Sequence, residues 1–253
     1  MEVKDLLILR SRNPALELDD SDYSVSTRIT QDLVTDFLKG APFAYLLGIS
    51  EFYGREFYVN RHVLIPRSET ELLVDKIIHS QKVPYKKVLD VGVGSGVILL
   101  SLLAQGIAEF GVGIDVSREA LNVARTNAKR LGLESRCEFI LTDRLYGIEE
   151  KFDLIVSNPP YIKEDAHKNL VHAKVNEYEP SLALYLNDQD YESWFFAFFT
   201  QVHKSLKQDG SFMMEGHENE LKQQANQLRD LGFKDVLVLQ DYTGRDRFLS
   251  ARS

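Results

Sequence analysis

From residue 85 to residue 251 the chain alternates short apolar runs with longer stretches whose apolar residues recur at helical spacing, and few folds accommodate that rhythm. Strand-like runs fall at 88–91, 110–114, 138–141, 153–156, 211–214, 235–239 and 247–251. Helix-patterned stretches lie between them over 95–105, 118–131 (closed by Gly132), 190–206 and 218–231. Strands joined through helices pair in parallel by right-handed crossovers, so the pattern predicts an α/β, Rossmann-like doubly wound sheet. Such a sheet binds ligands at the C-terminal ends of its strands.

The residues before 85 follow a different rule. Residues 1–41 predict a short N-terminal helical segment. In it Leu33, Val34, Phe37 and Leu38 recur at helical spacing over 30–39, and Gly40 and Pro42 end the run. Residues 42–67 are aromatic and β-branched and predict a β-hairpin linker, with 57–59 and 63–65 as its strands around a polar Asn60-Arg61 turn. Ser68 with Glu71 offers a capping box that opens a helix through Ile78, and 68–253 is expected to be the main domain.

Composition removes several function classes. Thirty basic against 38 acidic residues leave a net charge of −8, the wrong sign for bulk phosphate contacts, so no direct nucleic-acid binding is expected. A single cysteine, Cys137, forbids an internal disulfide and a Cys-clustered zinc site, and the six histidines are scattered without ligand spacing; no metal is expected. No apolar run approaches the roughly 18 residues of a membrane span, and Met1-Glu2-Val3-Lys4-Asp5 does not open like a signal peptide. The expectation is a soluble cytoplasmic protein, a monomer.

Two segments carry candidate chemistry. Asp90-Val91-Gly92-Val93-Gly94-Ser95-Gly96 lies where the first strand turns into the first helix, where glycines let backbone approach a ligand. Its G-x-G-x-G spacing is neither the dinucleotide fingerprint nor a P-loop, and no lysine follows to hold a phosphate. Asp115 ends the second strand, where a carboxylate can accept from ribose hydroxyls. Asp90 is placed to meet a cationic amino group, and Asp143, after the third strand, to meet an adenine edge. A nucleoside with an amino-acid tail and no pyrophosphate fits this set; S-adenosylmethionine is such a ligand.

The second segment, Ser157-Asn158-Pro159-Pro160-Tyr161, directly follows the strand at 153–156. Consecutive prolines fix φ and remove two donors. The Asn158 side-chain oxygen and the Pro159 carbonyl then form a pair of acceptors able to grip both hydrogens of a planar NH2 group, with Tyr161 as a stacking face. An amide nitrogen is a weak nucleophile, and two aligned acceptors orient it and favour lone-pair density toward an electrophile.

With these segments in view, the chain resembles the HemK/PrmC family of protein glutamine N5-methyltransferases. The likeness is carried by Pro42-Phe43-Ala44-Tyr45-Leu46-Leu47-Gly48, by Leu64-Ile65-Pro66-Arg67-Ser68-Glu69-Thr70-Glu71, by the glycine loop, by Asn158-Pro159-Pro160-Tyr161, by Glu179-Pro180-Ser181-Leu182 and by Gly244-Arg245-Asp246-Arg247. It implies a seven-stranded methyltransferase sheet with S-adenosylmethionine as cofactor. The glutamine of the Gly-Gly-Gln loop in class I peptide chain release factors is the implied substrate. By resemblance, Gly92 through Gly96, Asp115 and Asn158 contact the cofactor, Arg144 stands at a contact that is often aromatic, and Pro66 and Arg67 line the substrate side. Asn158, Pro159, Pro160 and Tyr161 grip the glutamine. The chain departs from the family at Ser68, where a second proline is common, at Glu215-Gly216-His217, and before Pro42, where the family has a longer helical domain.

Three other readings remain at this point: a ribosomal-protein glutamine methyltransferase, an adenine-N6 nucleic-acid methyltransferase using the same tetrad, and a non-catalytic S-adenosylmethionine-binding module. The run Trp194-Phe195-Phe196-Ala197-Phe198-Phe199 is expected to pack on the sheet, and 163–178 to form a loop over the acceptor site.

Overall fold

A computed structural model describes residues 35, 36, 38–80 and 84–253. The readings for residues 1–34, including the start of the lead-in helix, lie outside the described residues; of that helix, 35, 36, 38 and 39 are helical.

Seven strands form one sheet: β3 (Tyr85–Val91), β4 (Ala108–Asp115), β5 (Cys137–Leu141), β6 (Phe152–Ser157), β9 (Leu206–Glu215), β10 (Lys234–Gln240) and β11 (Asp246–Arg252), in the order β10-β11-β9-β6-β3-β4-β5. Pairing is parallel from β9 through β6, β3 and β4 to β5, while β11 runs antiparallel to both β9 and β10. The alternation in the sequence is legible because the central strands are buried on both faces. Val88, Leu154 and Val156 face one core with α2 (Ser68–Ser80), α3 (Val97–Ala104) and part of α4 (Arg118–Arg130). Leu89, Ile155, Phe212 and Met214 face the other with α5 (Tyr191–Ser205) and α6 (Leu221–Asp230).

The α5 run packs on the sheet in part: Phe195, Phe198 and Phe199 are fully buried, whereas Phe196 is exposed and Trp194 is partly buried. Stripped to alanine, a buried phenylalanine of this kind costs about 3–5 kcal/mol.

The hairpin is displaced from its expected place. After the short helix α1 (Phe43–Leu47), β1 (Ile49–Phe52) pairs antiparallel with β2 (Arg55–Tyr58), so the turn is Tyr53-Gly54 rather than Asn60-Arg61. Both turn residues have positive φ, 48° and 71°, as a two-residue turn matched to strand twist requires. Asn60 instead closes a local turn, accepting from His62 N through its side chain and from Val63 N through its carbonyl. Val59 and Val63 bury without a strand, against Ala120 and Val123 of α4. The capping box is not formed either: Glu71 Oε1 accepts from Tyr53 N at 2.7 Å and so serves the hairpin turn.

Residues 163–178, expected as a loop, are built from short helical turns at Glu164–His167, Lys168–Leu170 and Ala173–Tyr178. Their base is closed by a two-stranded parallel pair, β7 (Ile162–Lys163) with β8 (Tyr185–Leu186).

Candidate active site

The chain leaves β3 toward β4 and β5 on one side and returns at β6 on the other, so the C-terminal ends of β3 and β6 lie side by side at the topological switch point. Val91 pairs with Ser157, and Ser157 Oγ donates to the Val91 carbonyl at 2.7 Å, joining the two strand ends. The glycine loop leaves one of these ends and the Asn-Pro-Pro-Tyr segment leaves the other.

The loop is held by its backbone. Gly92 N and Val93 N both donate to the Ile114 carbonyl, at 2.8 and 2.9 Å, and Gly94 N donates to Asp115 Oδ2 at 3.0 Å. Gly92 has φ +74° with open space where a side chain would stand, so its glycine is required by conformation. Gly96 has φ +84°, and a Cβ there would stand 2.9 Å from Leu100 Cδ1, so its glycine also permits the loop to sit on α3. From α4, Asn127 donates through Nδ2 to the Ser95 carbonyl at 2.8 Å.

A cavity of about 290 Å3 lies over both strand ends. Gly92, Val93, Gly94, Ser95, Asp115, Asp143, Arg144, Asn158, Pro159, Pro160, Pro66 and Arg67 line it, together with Thr70 and Trp194. Two segments about 65 positions apart thus share one space. Asp90, Gly96 and Tyr161 lie outside its walls.

Asp90 sits behind the glycine loop. Its Oδ2 accepts from Leu99 N at 3.2 Å, capping the first turn of α3, while Oδ1 is buried without a hydrogen-bond partner. Burial pushes its carboxyl up to about 7, against the Leu99 hydrogen bond, and the Asp115 charge adds to the rise. Asp115 Oδ1 accepts from Ser117 N at 2.8 Å. Its pKa is also raised by burial, with the backbone donors of Ser117, Gly94 and Val116 opposing. Asp115 also lines the cavity.

Tyr161 turns the other way. Its hydroxyl donates to Glu215 Oε1 at 3.1 Å, and its carbonyl accepts from Tyr191 OH at 3.0 Å. Burial, first, and the Glu215 charge raise the phenol pKa. Asn158 Nδ2 donates to Thr70 Oγ1 at 3.1 Å, and Thr70 Oγ1 donates to Glu215 Oε2 at 2.7 Å. Burial raises the Glu215 pKa, opposed by hydrogen bonds from Thr70 and Tyr161 and by the charge of Arg247.

Elsewhere on the cavity wall, Arg67 Nη2 pairs with Glu179 Oε1 at 2.5 Å, and Glu179 Oε2 accepts from Ile65 N at 3.1 Å. Arg144, with φ +49°, pairs with Asp143 at 2.9 Å and lays its guanidinium 5.4 Å from the Trp194 ring centre.

Asn127 is not named by the sequence reading, and Thr70, Glu215 and Trp194 are named there only within longer segments, none of them as a candidate site residue. Their signals are faint: an acid ending the apolar run Phe212-Met213-Met214, and an asparagine on the apolar side of α4. The chain's single tryptophan gives a third, since it stands beside phenylalanines that pack inward.

The site suits a nucleoside carrying a cationic amino-acid tail. The loop leaves open space at Gly92, Asp115 offers acceptors at a strand end, and Asp90 holds an unpartnered buried oxygen behind the loop. No group of three or more His, Cys, Asp or Glu among the described residues could hold a metal ion. No helix among them is long and apolar enough to cross a membrane.

Comparison with known proteins agrees with this geometry. Residues 68–183 match the family described as methyltransferase small domain. The chain is 37% identical over 238 residues to the release factor glutamine methyltransferase of Enterococcus faecalis, covering 92% of this chain and 81% of that protein. It is 37% identical over 211 residues to the protein of the same name from Cereibacter sphaeroides, covering 83% and 74%. It also matches the bifunctional methyltransferase of Rickettsia felis, at 33% identity over 229 residues. That match covers 79% of this chain and 43% of the relative, so the chain spans less than half the length of that protein. Among solved structures, a methyltransferase from Pyrococcus furiosus superposes with a TM-score of 0.54 at 17% identity, covering 90% of this chain and 98% of that one. This likeness shows the fold.

Proposed function

The chain belongs to the family of release factor glutamine methyltransferases, and on that premise we propose that it methylates the side-chain nitrogen of a protein glutamine, that of the Gly-Gly-Gln loop in class I peptide chain release factors. The observation that carries the reading is the single cavity shared by the glycine loop and by Asn158, Pro159 and Pro160. S-adenosylmethionine, when bound, supplies an electrophilic methyl group on a sulfonium.

In this reading Gly92, Val93, Gly94 and Ser95 cradle the cofactor, Asp115 accepts from its ribose, and Asp143 and Arg144 border its base. Asp90 acts from behind by capping α3 and fixing the loop. The Asn158 oxygen and the Pro159 carbonyl accept the two amide hydrogens of the glutamine, while Pro160, having no N–H, offers no competing donor. The two bonds hold the nitrogen in one plane and orient its lone pair. Tyr161, held through its hydroxyl by Glu215, braces the segment from outside the cavity. Methylation leaves the nitrogen cationic and strongly acidic, so its proton passes to solvent and no side chain need act as base. Pro66 and Arg67 form the substrate-side wall, and the Glu179 carboxylate joins that wall to the segment beyond Tyr161. We take the protein to act as a monomer in the cytoplasm, on a protein and without nucleic acid.

The test is incubation with methyl-labelled S-adenosylmethionine and a class I release factor, followed by peptide mapping. Label on the Gly-Gly-Gln glutamine supports the reading. Cofactor binding without transfer, or label on another residue, defeats it.

A further inference from the structure

We propose that Glu215 and Thr70 are positioning residues that set which end of the Asn158 amide faces the acceptor. The inference rests on the function proposed above and deepens it.

Three elements meet at the carboxylate. Glu215 ends β9, one position beyond Met214, which pairs with Ser157 of β6; Thr70 lies in the first turn of α2; Asn158 follows β6. Glu215 and Thr70 are 1% and 3% exposed, so water does not compete for their bonds. A planar amide fits a site equally well in two orientations related by a half-turn, and only its hydrogen-bond partners choose between them.

Here the choice propagates outward from Glu215. Its carboxylate accepts from Thr70 Oγ1 at 2.7 Å and from Tyr161 OH at 3.1 Å. A hydroxyl has one hydrogen, and that of Thr70 is committed to Glu215. The Thr70 oxygen can therefore only accept, and it takes the Asn158 Nδ2 donor at 3.1 Å. The Asn158 oxygen is left for the cavity, as an acceptor suited to an NH2 substrate. Turning the amide over would set two acceptors against each other at Thr70 and present a donor to a donor in the cavity.

Glu215→Gln tests the relay, because its new NH2 can donate to Thr70. With the glutamine oxygen kept on the Tyr161 hydroxyl, its NH2 faces Thr70, the Thr70 hydrogen is released toward Asn158, and the amide turns over. With the release factor as substrate, kcat is expected to fall about 100-fold, with KM and cofactor Kd within about threefold of wild type. Thr70→Val should behave likewise, and Thr70→Ser, which keeps the hydroxyl, should return kcat to within about threefold of wild type. Wild-type kcat in both Glu215→Gln and Thr70→Val overturns the proposal, and so does Thr70→Ser falling as far as Thr70→Val. Should Glu215→Gln fail to fold, the Thr70 pair decides alone. A second readout separates this proposal from the proposed function. In protein labelled with 15N-asparagine, the Asn158 side-chain amide should show a hydrogen-bonded, slowly exchanging signal that Thr70→Ser keeps and Thr70→Val loses. A signal indifferent to Thr70→Val overturns the relay even if the wild-type protein transfers no methyl group to a release factor.

Discussion

The side-chain amide of Asn127 on α4 donates to the Ser95 carbonyl at 2.8 Å and to the Tyr58 carbonyl at 2.9 Å, while its oxygen accepts from Tyr58 N at 2.6 Å. One buried asparagine thus ties the glycine loop to the end of the hairpin. Replacing it with alanine leaves three backbone groups without their partner, at least one of them fully buried. Asn127→Ala is expected to lower stability by about 2–4 kcal/mol, with an unchanged denaturant slope in urea unfolding. Cofactor affinity, measured by calorimetry, should fall as well, because the loop loses its anchor. Loss of stability with full affinity would show that β3 and Asp115 hold the loop without help.

What could be read from the chain follows from the range of the forces involved. The buried central strands announce themselves as apolar runs, and the two site segments are each contiguous, with meaning in the order of their own residues. The ties between segments leave no such trace. Thr70 and Glu215 lie 145 positions apart, and nothing in the neighbours of either points to the other. The place of the hairpin is hidden for a related reason: Asn60-Arg61 has turn-like composition, but the sheet-forming turn needs two positive φ values, and Tyr53-Gly54 supplies them. Tyr161, with the pattern of a stacking face for the cavity, lies outside its lining. Its hydroxyl is turned into the interior, onto the buried Glu215 carboxylate, which requires donors.

Asp115 accepts from Gly94 N and Ser117 N and stands on the cavity wall. Asp115→Ala should therefore weaken S-adenosylmethionine by roughly 1–3 kcal/mol through lost ribose bonds, with added loss from a freed Gly94. Asp115→Asn keeps one acceptor and should fall between alanine and wild type. Calorimetric titration of all three proteins checks the order, and equal affinity throughout would place the ribose elsewhere.

Trp194 is the chain's single tryptophan, and it lines the cavity beside Arg144. Cofactor entering the cavity changes the surroundings of this indole, so intrinsic fluorescence should shift or quench on titration, with a midpoint equal to the calorimetric Kd. Trp194→Phe should abolish the optical signal while heat of binding persists. An unmoved emission spectrum at saturating cofactor would place the base away from α5.

Asp90 links the site to the acid dependence of stability. Its carboxyl sits at about 7 in the folded chain, because burial disfavours the charge and a single bond from Leu99 N does not restore it. In the unfolded chain the same group releases its proton near its ordinary value of about 4. Between these values the folded state holds a proton that the unfolded state has lost, so this group's contribution to stability is full below pH 4. It then declines as pH rises and levels off above pH 7. Asp90→Asn preserves an acceptor for Leu99 N and cannot titrate. The variant should lose that component of the slope, about 1.4 kcal/mol per pH unit, when urea unfolding is compared with wild type at pH 5 and pH 7. Parallel slopes in the two proteins would mean that Asp90 is ionised in the folded state, its unpartnered oxygen having found a cation or water behind the loop.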